Sequence, residues 1–193
     1  MARKQNARNL RLRRPMLIGA GETEKCYFEH LKRLESYKIG VMPRFCGNDS
    51  PYYMRKHVEE VLNDGGLAIC AFDMDVSGRT ETVARQLREF MAHYASHPDV
   101  ILCGSMPSIE YWFLLHFERT NRYFGSSVKV IEALRQYMGF EKTERFLRQP
   151  GWVQRLLADG GLARAMTNAE TLGESGESHT RIPEAIRYLE EHK

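Results

Sequence analysis

Residues 67–72, Leu-Ala-Ile-Cys-Ala-Phe, form an uninterrupted apolar run that stops abruptly at Asp73-Met74-Asp75. Apolar residues in a row, without alternation, fit a strand buried on both faces, and such a strand needs helices on both sides of a parallel sheet. The flanking chain supplies them. A short apolar run at 16–20 ends in Gly19-Ala20-Gly21, and the segment 22–37 then places Cys26, Tyr27, Leu31 and Leu34 at helical spacing. A second strand is expected at 41–46. The helix after it starts at Ser50-Pro51, with serine as cap and proline at the first position, and stops at Asn63-Asp64-Gly65-Gly66. Val83, Leu87, Phe90 and Met91 mark a helix over 80–94, and a fourth strand is expected at 100–103. Alternating strands and helices predict an α/β fold, a four-stranded mostly parallel sheet flanked by helices. From Ser108 onward the pattern is helical, over 109–117, 128–138, 143–147, 153–166 and 182–191, with no further strand expected. The division that follows is a basic arm at 1–14, an α/β core at 15–120, and a helical C-terminal extension at 121–193 packed on that core.

The net charge of the 193 residues is +3, but it is unevenly spread. The first fourteen residues hold six of the 28 basic side chains and no acid, which leaves 22 basic against 25 acidic groups in the body. The body is mildly acidic and the arm is suited to a polyanion. The longest nearly uncharged apolar run, 109–117, is broken by Glu110 and His116 and is about half of what a bilayer needs, so no membrane is expected. Cys26, Cys46, Cys70 and Cys103 include no C-x-x-C pair and read as reduced thiols of a cytoplasmic protein.

In open parallel sheets ligands gather at the carboxyl ends of strands. There the chain offers Glu22 and Glu24 after the first strand, Asp73 and Asp75 after the third, and Ser105 and Glu110 after the fourth. Asp73 and Asp75, two apart on an extended chain, point the same way. Two such carboxylates repel unless a cation offsets them, and a hard ion such as Mg²⁺ or Mn²⁺ is the simplest occupant. Glu22 and Glu24 also suit the first turn of a helix for its dipole alone. Glu110 stands out because Tyr111, Trp112, Phe113, Leu114 and Leu115 follow it. His116, inside that helix, reads as a core histidine. Gly19-Ala20-Gly21 does not open a dinucleotide fingerprint, since Glu24 occupies the place of the third glycine. His179, in the polar loop 173–179, could reach a phosphate, whereas Thr180 could simply cap the last helix.

Four segments carry a family likeness: Gly21-Glu-Thr-Glu-Lys-Cys-Tyr27-Phe28, Phe72-Asp-Met-Asp75, Ser105-Met-Pro107-Ser-Ile-Glu110-Tyr-Trp-Phe-Leu-Leu-His116-Phe117, and His179-Thr180-Arg181 before the final helix. Together they resemble the RloB-like family, from about Arg14 to the end. The resemblance implies a Toprim, Rossmann-like core, a place in phage defence (abortive infection), and a partner ATPase. Toprim proteins set a glutamate after the first strand and an Asp-x-Asp after the third around Mg²⁺. The Asp-x-Asp falls on Asp73 and Asp75. The glutamate ordinarily precedes the glycine of the first turn, where this chain has Ala20. Either Glu22 or Glu24 substitutes, or the site has lost its general acid/base.

The leading expectation is a metal-dependent nuclease acting on DNA or RNA, with Asp73 and Asp75 on the metal. Glu22, Glu24, Glu110 and His179 are the catalytic candidates, and Lys25, Arg79, Ser105, Thr180 and Arg181 the substrate-binding ones. The alternative is a Toprim-fold protein that binds nucleic acid, a nucleotide or a partner ATPase without cleaving. Homo-oligomerisation is compatible with either.

Overall fold

In a computed structural model, residues 14–42, 50–75, 80–174 and 176–193 are described. The basic arm up to residue 13, Cys46 with its neighbours, and Arg79 lie outside them. Five strands form one sheet: β1 (Met16–Gly19), β2 (Gly40–Val41), β3 (Ala68–Asp73), β4 (Val100–Met106) and β5 (His179–Thr180). Their order is β2-β1-β3-β4-β5, with the first four parallel and β5 antiparallel to β4. The connections are α1 (Glu22–Leu34), α2 (Pro51–Asn63) and α3 (Glu81–Tyr94). Strand order reverses between β1 and β3, so the crevice of this sheet opens where those two strands end.

The alternation expected of a buried strand is realised along β3. Ile69 and Ala71 join one core with Tyr27, Phe28 and Leu31 of α1, while Cys70 and Phe72 join a second with Val58, Leu87 and Phe90 of α2 and α3. The first core also takes in the helices after β4: α4 (Glu110–Leu114), α5 (Ser127–Leu134), α6 (Glu144–Leu147), α7 (Gly151–Leu157), α8 (Gly161–Leu172) and α9 (Ile182–Glu191). Trp112 anchors it, donating from Nε1 to the Tyr27 hydroxyl at 2.8 Å, and Trp152 packs against Phe113 and Phe140. Burial of each such aromatic or aliphatic side chain contributes roughly 1.5–3 kcal/mol. Cys26, Cys70 and Cys103 are free and buried, and burial raises the pKa of each thiol. Among the described residues no helix is long and apolar enough to cross a membrane.

The sheet departs from expectation at its edges. A fifth strand stands between α8 and α9, although two residues at the end of a polar loop carry no periodicity. It exists because β4 runs on to Met106, beyond the apolar run, and its free edge accepts Thr180 opposite Ser105 and His179 opposite Met106. Strand β2 is only two described residues. The single helix expected over 153–166 is two, α7 and α8, because Asp159 and Gly160 adopt left-handed backbone at φ 53° and 74°. Helix α4 ends at Leu114 and continues as a turn.

Candidate active site

Parallel pairing sets Asp73 beside Ser105, and Thr180 beside Ser105 in turn, so three polar residues cross the carboxyl edge of the sheet in one row. The Ser105 and Thr180 hydroxyls hydrogen-bond at 2.7 Å, both buried. Beyond β3 the pairing persists: Met74 N–H donates to the Ser105 carbonyl at 2.8 Å, and Asp75 N–H to the Pro107 carbonyl at 3.2 Å. The Asp73-Met74-Asp75 turn is thus tied to the chain that leads into α4. The Ile109 N–H also donates to Asp73 Oδ1 at 2.9 Å. Asp73 therefore meets the start of α4 as well as the crevice.

Glu24 enters from α1. It shares the buried face of that helix with Tyr27, Phe28 and Leu31, which stand three, four and seven residues on, and is only 4% exposed. Its carboxylate folds back over the first turn, where a Cβ on Gly21 would lie 2.8 Å from Glu24 Oε2. Only a glycine leaves that space. Burial, then repulsion from Asp73, push the Glu24 carboxyl up to about 8, and Glu110 adds to the rise. Three acids from three elements thus share one electrostatic neighbourhood.

Glu110 is fully buried. Its Oε2 accepts from the Ser108 hydroxyl at 2.6 Å, and its Oε1 lies 2.8 Å from Lys142 Nζ. Burial pulls the Lys142 ammonium toward neutrality, but Glu110, Asp73 and Glu24 together hold its pKa above the ordinary value. The lysine thus partly offsets the acids.

The family model of RloB-like proteins matches residues 16–189. The chain belongs to the RloB-like family. No curated protein and no solved structure matches it.

In this RloB-like chain the expected site residues do not all converge. Glu24, Asp73 and Glu110 are brought together, with Asp75 on the same turn and Ser105 and Thr180 beside Asp73. Glu22 and Lys25 lie elsewhere, on the outer side of α1, where they pair with each other at 3.9 Å and line a cavity of about 320 Å³ with Cys26, Arg33 and Arg148. His179 and Arg181 line a cavity of about 450 Å³ with Phe72, Met74, Met91 and Gly104, on the α3 side of the sheet, away from the row containing Asp73. Arg181 is held there by Glu184 at 2.5 Å and Glu174 at 3.3 Å, and the His179 Nδ1 lies 2.9 Å from the Gly176 carbonyl. His116 is buried, and desolvation lowers its pKa to about 4, as suits a neutral core histidine.

Two residues at this candidate site were not among the sequence candidates. Ser108 had a signal, standing two residues before Glu110 in the Ser-x-Pro-x-x-Glu segment. Lys142, in the connection before α6, had none. The choice of Glu24 over Glu22 was also legible, because only Glu24 falls in phase with Tyr27, Phe28 and Leu31.

The donors that converge are hard oxygens under mutual repulsion, which fits a divalent cation. Among the described residues no three His, Cys, Asp or Glu side chains are placed to hold a metal ion together. One or two carboxylates, with water and phosphate completing the shell, is the way Mg²⁺ is ordinarily held.

Proposed function

We propose that this protein is a metal-dependent phosphodiesterase acting on nucleic acid, with its site where β1 and β3 end. The observation that carries the reading is the gathering of Glu24 from α1, Asp73 from β3 and Glu110 from α4 at the carboxyl edge of the sheet. A buried acid beside a half-buried one at a sheet's ligand-binding edge is a common mark of a functional site. Asp73 and Asp75 would hold Mg²⁺ or Mn²⁺. A cation held there would polarise a phosphoryl oxygen and acidify a water. Glu24, in its deprotonated form, would accept a proton from that water. Ile109 N–H and Ser108 hold Asp73 and Glu110 in place, and Lys142, paired with Glu110, would offset negative charge developing on a phosphate. A role in phage defence beside a partner ATPase, which the family resemblance implies, belongs to the same proposal.

A second reading is favoured by Lys142 itself. Its ammonium already offsets part of the acid cluster, as it would in a protein that binds nucleic acid or a partner without cleaving. Incubating the chain with DNA and RNA under Mg²⁺ or Mn²⁺, beside Asp73→Asn and Asp73→Ala, separates the two. Cleavage requires a metal-dependent product that both variants lower by about 10²-fold or more. Equal activity in the variants, or no product with either metal, overturns it in favour of the second reading.

A further inference from the structure

The segment between α4 and α5 returns to the carboxyl edge of the sheet. Tyr111, next to Glu110, donates its hydroxyl to the Thr120 carbonyl at 2.7 Å. Ser178 donates its hydroxyl to the Arg122 carbonyl at 2.8 Å. Because β5 runs antiparallel and sets His179 opposite Met106, Ser178 lies beyond the end of β4, on the edge that holds Asp73 and Glu110. Residues 119–124 are therefore stapled beside the acid site from two directions.

What this segment presents outward is distinctive. Arg119, Arg122 and Tyr123 are exposed, and Tyr123, at 68%, is the most exposed large hydrophobic side chain among the described residues. Neither Arg122 nor Tyr123 dangles. The Arg122 guanidinium lies over the buried Phe124 ring, 4.7 Å from its centroid. The Tyr123 ring packs across Gly125, where an added Cβ would stand 3.3 Å from it and where φ is +70°. Both side chains lie against residues of their own loop, an arrangement that lowers the ordering cost of binding.

We infer that Arg119, Arg122 and Tyr123 form a docking surface for a single-stranded segment of nucleic acid, one base stacking on Tyr123 and the neighbouring phosphates meeting the two arginines. The inference rests on the nucleic-acid reading of the site and names the form of its substrate. An exposed aromatic ring accompanied by cations is how sequence-tolerant proteins hold unpaired strands. A duplex keeps its base faces stacked inside and offers Tyr123 nothing but phosphate. The loop therefore selects for unpaired bases next to the acid site, while a basic N-terminal arm contributes a sequence-independent attraction that does not distinguish the two forms.

The test uses the full chain in EDTA, so that binding is read apart from cleavage. Fluorescent 12-nucleotide single strands of DNA and of RNA, and the matching DNA duplex, are titrated at several salt concentrations. Tyr123→Ala weakens binding of at least one single strand by about 5- to 100-fold, Tyr123→Phe restores it, and duplex binding changes less than about twofold. Arg122→Ala lowers the slope of log affinity against log salt by about one. Unchanged single-strand binding in Tyr123→Ala, an equal loss for the duplex, or no binding of any strand by the parent chain overturns the inference. Tyr123-dependent binding without metal-dependent cleavage leaves the docking surface standing and removes only the phosphodiesterase reading. Cleavage with Tyr123-independent binding does the reverse.

Discussion

Lys142 Nζ stands 2.8 Å from Oε1 of the fully buried Glu110, reaching in from the connection before α6 to a carboxylate at the start of α4. The lysine side chain is 44% exposed, so the pair joins solvent to a closed interior. Removing the lysine leaves a carboxylate that must either stay charged without its cation or take up a proton.

For that reason Lys142→Met is expected to destabilise the chain at pH 7 by about 1–3 kcal/mol, less than a fully enclosed pair because water screens the exposed end. Lys142→Met combined with Glu110→Gln should recover most of the loss. Chemical denaturation of the three variants measures it. If the double variant is no more stable than Lys142→Met, the ion pair is not what the lysine contributes.

The raised pKa of Glu24 gives the fold a pH dependence of definite sign. Its carboxyl titrates near 8 in the folded chain against an ordinary value of 4.5, so between those pH values the folded state holds a proton that the unfolded state has released. Stability from this group is complete below about pH 4.5 and declines as pH rises toward 8. Glu24→Gln, which keeps the neutral shape, should match the parent in unfolding free energy near pH 4.5 and exceed it by pH 8, by an amount on the order of a few kcal/mol. Identical pH profiles for the two proteins would falsify the assignment.

Mg²⁺ should act in the opposite sense, favouring the ionised carboxylates. Added Mg²⁺ is expected to raise the melting temperature of the parent more at pH 8 than at pH 5, and to do so less in Asp73→Asn. A rise of the same size at both pH values, or one untouched by the substitution, would place the ion elsewhere.

Gly21→Ala separates fold from site. Gly21 has extended backbone at φ −148°, which alanine adopts without strain, but the new methyl would sit 2.8 Å from Glu24 Oε2. The flexible end of the side chain gives way and the backbone stays. Thermal stability without metal should change by less than about 1 kcal/mol, while Mg²⁺-dependent stabilisation falls. Circular dichroism melts with and without Mg²⁺ read both quantities, and unaltered metal dependence would show that Glu24 is not placed by that turn.

The apolar run before Asp73 and the helical phase around it determined, by themselves, a doubly covered parallel strand and the edge at which chemistry would gather. Period 2 and period 3.6 are local properties, and they survive into the fold because burial enforces them. The same logic reaches Glu24, since helix phase with Tyr27, Phe28 and Leu31 turns it inward and Glu22 outward. It does not reach β5. A two-residue strand has no period, and only pairing with the far end of β4 created it and set His179 and Thr180 on opposite faces of the sheet. Nor does it reach Lys142, whose approach to Glu110 depends on how α5 and α6 pack over α1 and α4. What the sequence determined was which groups carry charge and which elements bear them. Which charges meet was decided by tertiary packing, because attraction between them falls off over a few ångströms, a distance that chain separation does not encode.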